Sequence, residues 1–382
     1  MMQTSDILEK LDIPRHKLYY LEQKGYIRPK RVPRGDLEAR EFTEEDFKKI
    51  QAIWKYLKRG FKHKIAYRKA MEELNKLAKE KKETMQIKEN QQLKIKGRVV
   101  VGQSMKELTS MKIGGKTDFF VVPQDLDDLK LVLSFCREKN IPFFVIGNGT
   151  KLLMRDEGFK GVIVKLGEHF KSIKNEGKRT RVGAGVNLST LIDFTTERGF
   201  SGIESLSGVP GTIGGAIVRN ASAFGEDISQ RVLSVRVLDK DNNYLTLSKE
   251  DIGFDYRSSV FLDNKDWVII EAELELWPRK KEEIVLRLEE IRRKKVLSQP
   301  ISFASAGCIF KNPPPYSAGF LIQEAGCLGM KIGDAQVSLQ HANFIINKGN
   351  ATARDVLRLI QEIKRKVKDK FNISLEPELE IV

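Results

Sequence analysis

The segment SGVPGTIGGAIVRNASAFGEDI, residues 207–228, concentrates residues that break regular structure. Four glycines and one proline fall within eight residues: Gly208, Pro210, Gly211, Gly214 and Gly215. Each interior glycine costs roughly 1 kcal/mol relative to alanine, so this density predicts a loop whose backbone must approach another group closely. A pyrophosphate is the natural candidate, and a purely structural glycine-rich loop is the alternative. The polar Asn220 follows the cluster.

A second glycine turn follows a buried strand in IPFFVIGNGTKLL, residues 141–153. Glycines in a turn after a strand let backbone N–H groups approach an anion. A simple tight turn explains Gly147 to Thr150 equally well. From Val99 onward, short β-branched and aromatic runs alternate with helical patterns such as residues 125–140. This alternation predicts an α+β fold.

The composition indicates a folded protein of more than one domain. The chain has 382 residues, 41% hydrophobic and 31% charged, which is ordinary for globular domains and argues against wholesale disorder. No apolar run reaches the roughly 20 residues needed to cross a bilayer, and the N-terminal stretch lacks the apolar core of a secretory signal. A cytoplasmic protein without a membrane partner is therefore expected. Three widely spaced cysteines, Cys136, Cys308 and Cys327, predict reduced thiols and no metal cluster.

Positive charge is concentrated in the first quarter of the chain. Residues 1–97 hold 25 Lys and Arg against 15 Asp and Glu, a net +10, whereas the rest of the chain carries +5. A basic segment on a nearly balanced body indicates a polyanionic partner for that segment, and a solvated basic face is the alternative.

The N-terminal segment contains a helix-turn-helix pattern. In residues 5–27, Ser5 and Asp6 can begin one helix, and Pro14 begins a second that ends near Gly25. The basic stretch 28–43 suits a hairpin wing, and residues 43–61 form an amphipathic helix capped by Thr43. The side chains expected to face DNA are Arg15, His16, Lys17 and Tyr20 on the second helix, and Lys30, Arg31, Arg34 and Arg40 on the wing.

Over residues 4–72 the chain resembles the MerR-type winged-helix domain. The resemblance is carried by Leu18, Tyr20, Glu22, Gly25, Pro29, the triplet Arg40-Glu41-Phe42, and Leu57 through Gly60-Phe61. It implies duplex DNA as a partner and a homodimer formed through a later helix. The Lys- and Glu-rich residues 62–96 supply either that helix or a linker.

The remaining three quarters of the chain resemble the UDP-N-acetylenolpyruvoylglucosamine reductase (MurB) family, in its shorter form. The sequence TSMKIGGKTDFFVVP, residues 109–123, matches the family's opening motif, and the two glycine loops match its flavin and pyrophosphate loops. The resemblance implies FAD and NADPH as cofactors. It assigns cofactor binding to Gly147, Asn148, Gly149, Thr150, Lys151, Leu152, Gly208, Pro210, Gly211, Thr212, Gly214, Gly215 and Asn220.

Reduction of an enolpyruvyl ether requires a hydride, a proton donor and a group that stabilises negative charge on the carboxylate. In GFDYRSSVF, Arg257 matches the family's carboxylate-binding arginine, and in LEPELEIV, Glu378 matches its catalytic glutamate. Cys308 in SAGCIFKNP stands where most members have a serine proton donor. A thiol is protonated at neutral pH and is a better acid than a hydroxyl.

Substrate binding is expected at Lys311 and Asn312, near the nucleotide-sugar diphosphate. Two departures from the family pattern concern charge. Thr150-Lys151 replaces the usual Ser-Asn, which places a lysine where it can meet a phosphate, and Leu328 replaces a lysine, a loss for which Lys331 can compensate.

The sequence therefore predicts an all-α winged helix-turn-helix domain over residues 1–75 and a helical linker or dimerisation segment over 76–97. A two-subdomain FAD-binding domain of α+β type follows over 98–279, and a substrate-binding α+β domain over 280–382. One hypothesis is an NADPH-dependent flavoprotein that reduces UDP-N-acetylglucosamine enolpyruvate to UDP-N-acetylmuramate in peptidoglycan precursor synthesis. The other is a DNA-binding transcriptional regulator whose reductase-like body senses flavin or a cell-wall precursor. Both can hold in one protein.

Overall fold

The computed structural model describes residues 2–34, 37–75 and 95–382. The chain divides into two compact units, Met1–Gln92 and Leu93–Val382. The segment predicted as a linker or dimerisation helix, residues 76–97, lies almost entirely outside the described residues. Among the described residues, no helix is both long and apolar enough to span a membrane.

The first unit combines helices with a small sheet. Its helices are α1 (Thr4–Leu11), α2 (Arg15–Gln23), α3 (Glu44–Lys58) and α4, described over residues 63–75. Its strands are β1 (Met2–Gln3), β2 (Lys30–Arg34) and β3 (Leu37–Phe42), antiparallel in the order β1-β3-β2. The prediction of an all-α domain was wrong in this respect, because the basic hairpin recruits Met2 and Gln3 as a third strand.

The local signals of this unit act as expected. Thr43 and Asp46 form a capping box at the start of α3, and Gly25 adopts a positive φ of 69° just after α2. Apolar side chains from three helices, including Ile7, Leu18 and Ile53, are fully buried against one another. The element order is that of the sequence prediction, while its assignment to the MerR type stays a prediction.

The second unit alternates strands and helices. Its strands are β4 (Arg98–Val101), β5 (Thr117–Val122), β6 (Phe143–Ile146), β7 (Leu152–Leu153), β8 (Phe159–Lys165), β9 (Ile173–Glu176), β10 (Arg179–Gly183), β11 (Phe200–Ser201), β12 (Ser222–Ala223), β13 (Glu226–Asp227), β14 (Val232–Leu238), β15 (Tyr244–Ser248), β16 (Val268–Glu275), β17 (Trp277–Pro278), β18 (Ala304–Cys308), β19 (Lys331–Ile332), β20 (Ala335–Val337), β21 (Phe344–Asn347) and β22 (Glu380–Ile381). Its α-helices are α5 (Leu126–Glu138), α6 (Leu188–Glu197), α7 (Ile213–Val218), α8 (Lys249–Ile252), α9 (Lys281–Ser298), α10 (Ala318–Glu324) and α11 (Ala353–Phe371). Short 3₁₀ helices cover Met105–Glu107, Glu168–Lys171, Glu204–Leu206, Ile228–Gln230 and Val260–Leu262.

Two sheets build the predicted cofactor region. The first has four strands in the order β4-β5-β8-β6, with β8 parallel to both its neighbours. Ile163 of β8 belongs to one apolar cluster, whereas Val162 and Val164 belong to another on the opposite face. Burial on both faces explains why β8 is a continuous apolar run. The second sheet is antiparallel, in the order β15-β14-β16-β10-β9.

The C-terminal part forms a third sheet, antiparallel in the order β18-β21-β20-β19, covered by α10 and α11. Helix α11 begins at a capping box of Thr352 and Asp355 and buries residues at helical spacing. The chain then returns to the first loop region, because β22 pairs in parallel with β7. This return brings Glu378 next to residues more than 200 positions earlier in the chain.

Candidate active site

The two glycine loops predicted from the sequence touch each other. A Cβ atom on Gly147 would lie 2.4 Å from the Thr212 hydroxyl, which caps α7 by accepting a hydrogen bond from the Gly215 amide. A Cβ on Gly149, whose φ is +61°, would lie 2.3 Å from the Leu108 carbonyl. Glycine is required at these positions because the loops pack backbone against neighbouring groups.

The loops border a cavity of about 310 Å³, here called the loop cavity. Its lining combines backbone of both glycine loops with apolar side chains such as Trp267 and Phe261. Five cations also line it: Lys151, Lys165, Lys171, Arg219 and Lys265. Apolar walls, exposed loop backbone and several cations suit a large planar anion such as a flavin nucleotide. Ten of the predicted cofactor residues lie here: Gly147, Asn148, Gly149, Thr150, Lys151, Leu152, Gly211, Thr212, Gly214 and Gly215.

A second cavity of about 530 Å³, here called the thiol cavity, adjoins the first. The two share the lining residues Thr150, Lys151, Gly211, Gly215 and Arg219. Arg257, Cys308 and Glu378 all line the thiol cavity, as do Gly208 and Pro210 of the second glycine loop. The three catalytic candidates therefore open into one space.

The Glu378 carboxylate is the centre of this cluster. It is only 3% exposed, and its Oε1 lies 2.9 Å from Lys151 Nζ and 3.2 Å from Arg257 Nε. Lys151 Nζ also donates a hydrogen bond of 2.6 Å to the Cys308 carbonyl. Two cations thus hold one buried carboxylate beside the strand that carries the thiol.

Arg257 is held in an unusual backbone conformation. Its φ is +55°, at a tight turn in which Asp255 and Ser258 exchange backbone hydrogen bonds. This left-handed region costs about 1 kcal/mol for a residue other than glycine, and such strain concentrates at functional sites. Although Arg257 Nε is close to Glu378, the buried Nε–H is not aligned for a hydrogen bond with any acceptor in the described residues.

The Cys308 thiol is suited to donate a proton. Burial raises its pKa, the nearby Lys151 and Arg257 cations act in the opposite direction, and Glu378 adds to the increase. A thiol whose pKa lies above its usual range stays protonated at neutral pH. Burial therefore favours the protonated thiol of Cys308 over its thiolate.

Sequence reasoning missed two residues of the thiol cavity. Arg219 lies inside the opening glycine segment, and its guanidinium donates to the Glu378 carbonyl at 3.1 Å. Lys295, near the end of α9, is 6% exposed, and its ammonium lies 5.8 Å from the centroid of the Phe224 ring but has no ion-pair or hydrogen-bond partner among the described residues. A buried ammonium without a counter-ion is costly, so its presence indicates an anionic ligand. The exposed charges around it on α9 gave no signal that set Lys295 apart.

Replacement of Lys295 by methionine is expected to stabilise the folded protein at pH 7 by up to about 3 kcal/mol. Burial lowers the pKa of Lys295 to about 8, below the unfolded value of about 10.4. The loss of folding stability caused by burying the charged ammonium is therefore fully present below pH 8 and disappears as the pH rises toward 10.4. Urea unfolding at pH 7 and pH 10 measures the difference. The exposed neighbour Lys294 is the control, and a Lys295→Met advantage that does not shrink at pH 10 would contradict the account.

Three predicted binding residues do not line either cavity. The Asn220 side chain is buried, donates to the Asp255 carbonyl and accepts from the Ser229 amide. Lys311 pairs with Glu376 at 2.7 Å. The side-chain oxygen of Asn312 accepts from the Ala318 amide, and the backbone amide of Asn312 donates to the hydroxyl of Tyr256, next to Arg257. Asn220 thus braces the turn that carries Arg257, and Asn312 contacts Tyr256 of the same turn.

The compensating cation predicted at Lys331 is also elsewhere. Its ammonium lies 3.5 Å from Asp334, and neither Lys331 nor Leu328 lines the loop cavity or the thiol cavity. Within the described residues, no group of three or more His, Cys, Asp or Glu side chains is placed to hold a metal ion.

In the first unit, the residues predicted to contact DNA differ in their exposure and in their contacts with other side chains. Arg15 and His16 are exposed at the start of α2, and Lys17 is half-buried. Tyr20 packs against His63, with ring centroids 4.4 Å apart. The Arg31 guanidinium bridges Glu22 and Glu38, and Arg40 also pairs with Glu22. The Arg34 side chain lies outside the described part of the chain.

Comparison with known proteins relates the second unit to one group of enzymes. Residues 299–382 match the C-terminal domain of UDP-N-acetylenolpyruvoylglucosamine reductase, and residues 117–248 match an FAD-binding domain. The reductase of Caldanaerobacter subterraneus subsp. tengcongensis is 43% identical over 75% of this chain and 94% of its own length. That of Bacillus subtilis is 37% identical over 75% of this chain and 94% of its own.

A solved structure gives the same relationship. The crystal structure of UDP-N-acetylenolpyruvylglucosamine reductase (MurB) from Thermus caldophilus superposes with a TM-score of 0.65 at 35% identity. The match covers 75% of this chain and 99% of that chain.

Proposed function

Because the chain belongs to the UDP-N-acetylenolpyruvoylglucosamine reductase family, we propose that it is an FAD-dependent oxidoreductase that reduces UDP-N-acetylglucosamine enolpyruvate to UDP-N-acetylmuramate. NADPH is the electron source. The observation that carries the proposal is the joining of the loop cavity to a second cavity lined by a thiol, a guanidinium and a buried carboxylate. These are the groups that reduction of an enolpyruvyl double bond requires.

The loop cavity fits FAD by its own chemistry. The glycines of both loops leave backbone exposed where a Cβ would collide with neighbouring groups, and Lys165, Lys171 and Lys265 supply positive charge. Bound there, FAD would supply the hydride, after reduction by NADPH. The Asn148 side chain donates to Asn187 at 2.9 Å, which fixes the conformation of the first loop beside the cavity.

In the thiol cavity, Cys308 donates the proton that completes the reduction. Its raised pKa keeps the thiol protonated at neutral pH. The guanidinium of Arg257 lines the thiol cavity, where it binds the substrate carboxylate and stabilises the negative charge that develops on it. Glu378 holds Arg257 in place through their ion pair.

The substrate also carries a diphosphate. Lys295 is the unpaired buried cation of the thiol cavity, and we assign it to an anionic group of the substrate. Lys311 and Asn312 remain proposed substrate contacts outside the two cavities, and the backbone amide of Asn312 donates to the Tyr256 hydroxyl. Lys295 thus supplies a cation to the thiol cavity, although Leu328 stands where the family usually has a lysine.

The function is tested by steady-state turnover. The purified protein, loaded with FAD, is mixed with NADPH and UDP-N-acetylglucosamine enolpyruvate, and NADPH loss is compared with UDP-N-acetylmuramate formed by mass spectrometry. We expect one product for each NADPH consumed. NADPH oxidation that proceeds without this product, or at the same rate when the substrate is omitted, contradicts the proposal.

For the first unit we propose a second function. It binds duplex DNA as a homodimer, through α2 and the β2–β3 hairpin. Arg15 and His16 are exposed on the first turn of α2, and residues 1–97 carry a net charge of +10. An exposed basic helix after a turn is the element that enters the major groove in helix-turn-helix proteins. Arg31 is a weaker candidate, because Glu22 and Glu38 neutralise it. If this unit reports the state of the enzyme body, the protein is also a ligand-sensing regulator.

The double substitution Arg15→Ala and Lys17→Ala is expected to weaken binding to a mixed-sequence duplex. Each lost phosphate contact should reduce the slope of log K against log salt by about 1. Fluorescence anisotropy of a labelled duplex at several salt concentrations measures both effects. Lys69→Ala, on α4, is the matched charge control. Equal affinity and equal slopes in all proteins would refute DNA binding through α2.

A further inference from the structure

Lys151 connects the first glycine loop to both catalytic elements. Its ammonium donates to the Cys308 carbonyl at 2.6 Å and lies 2.9 Å from Glu378 Oε1. Its own carbonyl accepts a hydrogen bond of 2.9 Å from the Glu380 amide. A single residue therefore contacts the strand that carries the thiol and, at two points, the C-terminal segment that carries the carboxylate.

Other contacts fix the backbone of this segment but not the carboxylate. The Glu378 amide donates to the Ile309 carbonyl at 2.7 Å, and Arg219 donates to the Glu378 carbonyl at 3.1 Å. The side chain of Glu378 has only Arg257 and Lys151 as ion-pair partners in the described part of the chain. Its orientation depends on these two cations, which come from different loops.

A contact to a cofactor phosphate is the competing role for Lys151, since the residue lines both cavities. The ammonium, however, is already engaged by a carboxylate and a carbonyl. Three other lysines line the loop cavity: Lys165, Lys171 and Lys265. The contacts therefore favour a role toward the catalytic groups over a role toward a phosphate.

We propose that Lys151 is a positioning residue that ties the carboxylate of Glu378 to the strand of Cys308, so that proton donor, carboxylate and Arg257 keep one arrangement. The proposal rests on the proposed reductase function for its catalytic consequence, whereas its structural consequence does not depend on activity. It assigns a task to the lysine that replaces the asparagine usual in the family.

The test compares Lys151→Gln, Lys151→Arg and the exposed control Lys174→Gln with the parent protein. Three quantities are measured: the dissociation constant of FAD, kcat at saturating FAD, and backbone hydrogen exchange of the peptide covering residues 375–382. Lys151→Gln should lower kcat about 10- to 100-fold, the range expected for losing a charged hydrogen bond. It should also speed exchange in that peptide, with little change in FAD affinity, and Lys151→Arg should restore most of both.

The contrary result is an FAD dissociation constant raised tenfold or more in Lys151→Gln, with unchanged kcat at saturating FAD and unchanged exchange in residues 375–382. That outcome assigns Lys151 to the cofactor phosphate and overturns the proposal. Hydrogen exchange needs no substrate, so faster exchange in a protein that lacks reductase activity would uphold the positioning role while the proposed function fails.

Discussion

Replacement of Cys308 by alanine is expected to slow reoxidation of the reduced flavin by the substrate about 10²- to 10⁴-fold, the range that a general acid contributes. Cys308 lines the same cavity as Arg257 and Glu378, and burial raises the pKa of its thiol. The side chain is therefore a protonated acid at neutral pH. Reduction of the flavin by NADPH does not need this proton, so that step should keep its rate. Rapid mixing with absorbance at the flavin band separates the two steps.

Cys308→Ser is the matched control, because it retains an O–H group at the same position and restores the residue most common in the family. It should recover most of the rate that alanine loses. The raised pKa further predicts that iodoacetamide alkylates Cys308 more slowly at pH 8 than it alkylates free cysteine. If Cys308→Ala reoxidises as fast as the parent protein, another group supplies the proton.

Replacement of Arg257 by glutamine is expected to lower kcat about 10²- to 10³-fold, as for removal of a group that stabilises developing negative charge. The guanidinium lines the thiol cavity, and its Nε lies 3.2 Å from Glu378 Oε1. Glutamine keeps an amide donor but removes the charge. Steady-state kinetics with NADPH and the enolpyruvyl substrate measure the loss.

Arg257→Lys separates charge from shape, since it keeps the cation but not the planar fork of donors. The kcat of Arg257→Lys should lie between those of the parent protein and Arg257→Gln. Because Glu378 retains Lys151 as a partner, both variants should remain folded and bind FAD, which circular dichroism and flavin absorbance verify. A loss of kcat that is equal in both variants and accompanied by loss of FAD would assign Arg257 to folding instead of catalysis.

The glycine loops could be predicted from the sequence because their signal is local. Gly147 directly follows strand β6, in which Ile146 is buried and the other residues are half-buried, and the two loops concentrate glycines, which regular strands and helices avoid. The structure explains why two of these residues are glycines: Gly147 lies against Thr212, and Gly149 lies against the Leu108 carbonyl. The caps of α2 and α3 were predictable for the same reason, since caps depend on side chains within a few residues.

The roles of Lys295 and Lys151 could not be read from the sequence, because both depend on distant contacts. Lys295 lies in a run of charged residues on α9, and only the packed structure distinguishes it from its exposed neighbour Lys294. Lys151 was expected to meet a phosphate, yet its partner Glu378 lies 227 positions later in the chain. The third strand of the first unit was missed because Met2 and Gln3 are too short a run to show a period.

The central claim is tested most directly by a single anaerobic turnover. The protein is loaded with FAD, reduced with one equivalent of NADPH, and mixed with UDP-N-acetylglucosamine enolpyruvate while flavin absorbance is followed. We predict that the oxidised flavin band returns at a rate at least equal to kcat and that UDP-N-acetylmuramate forms in equal amount. A flavin that stays reduced in the presence of this substrate would contradict the reductase function and favour a ligand-sensing role for the second unit.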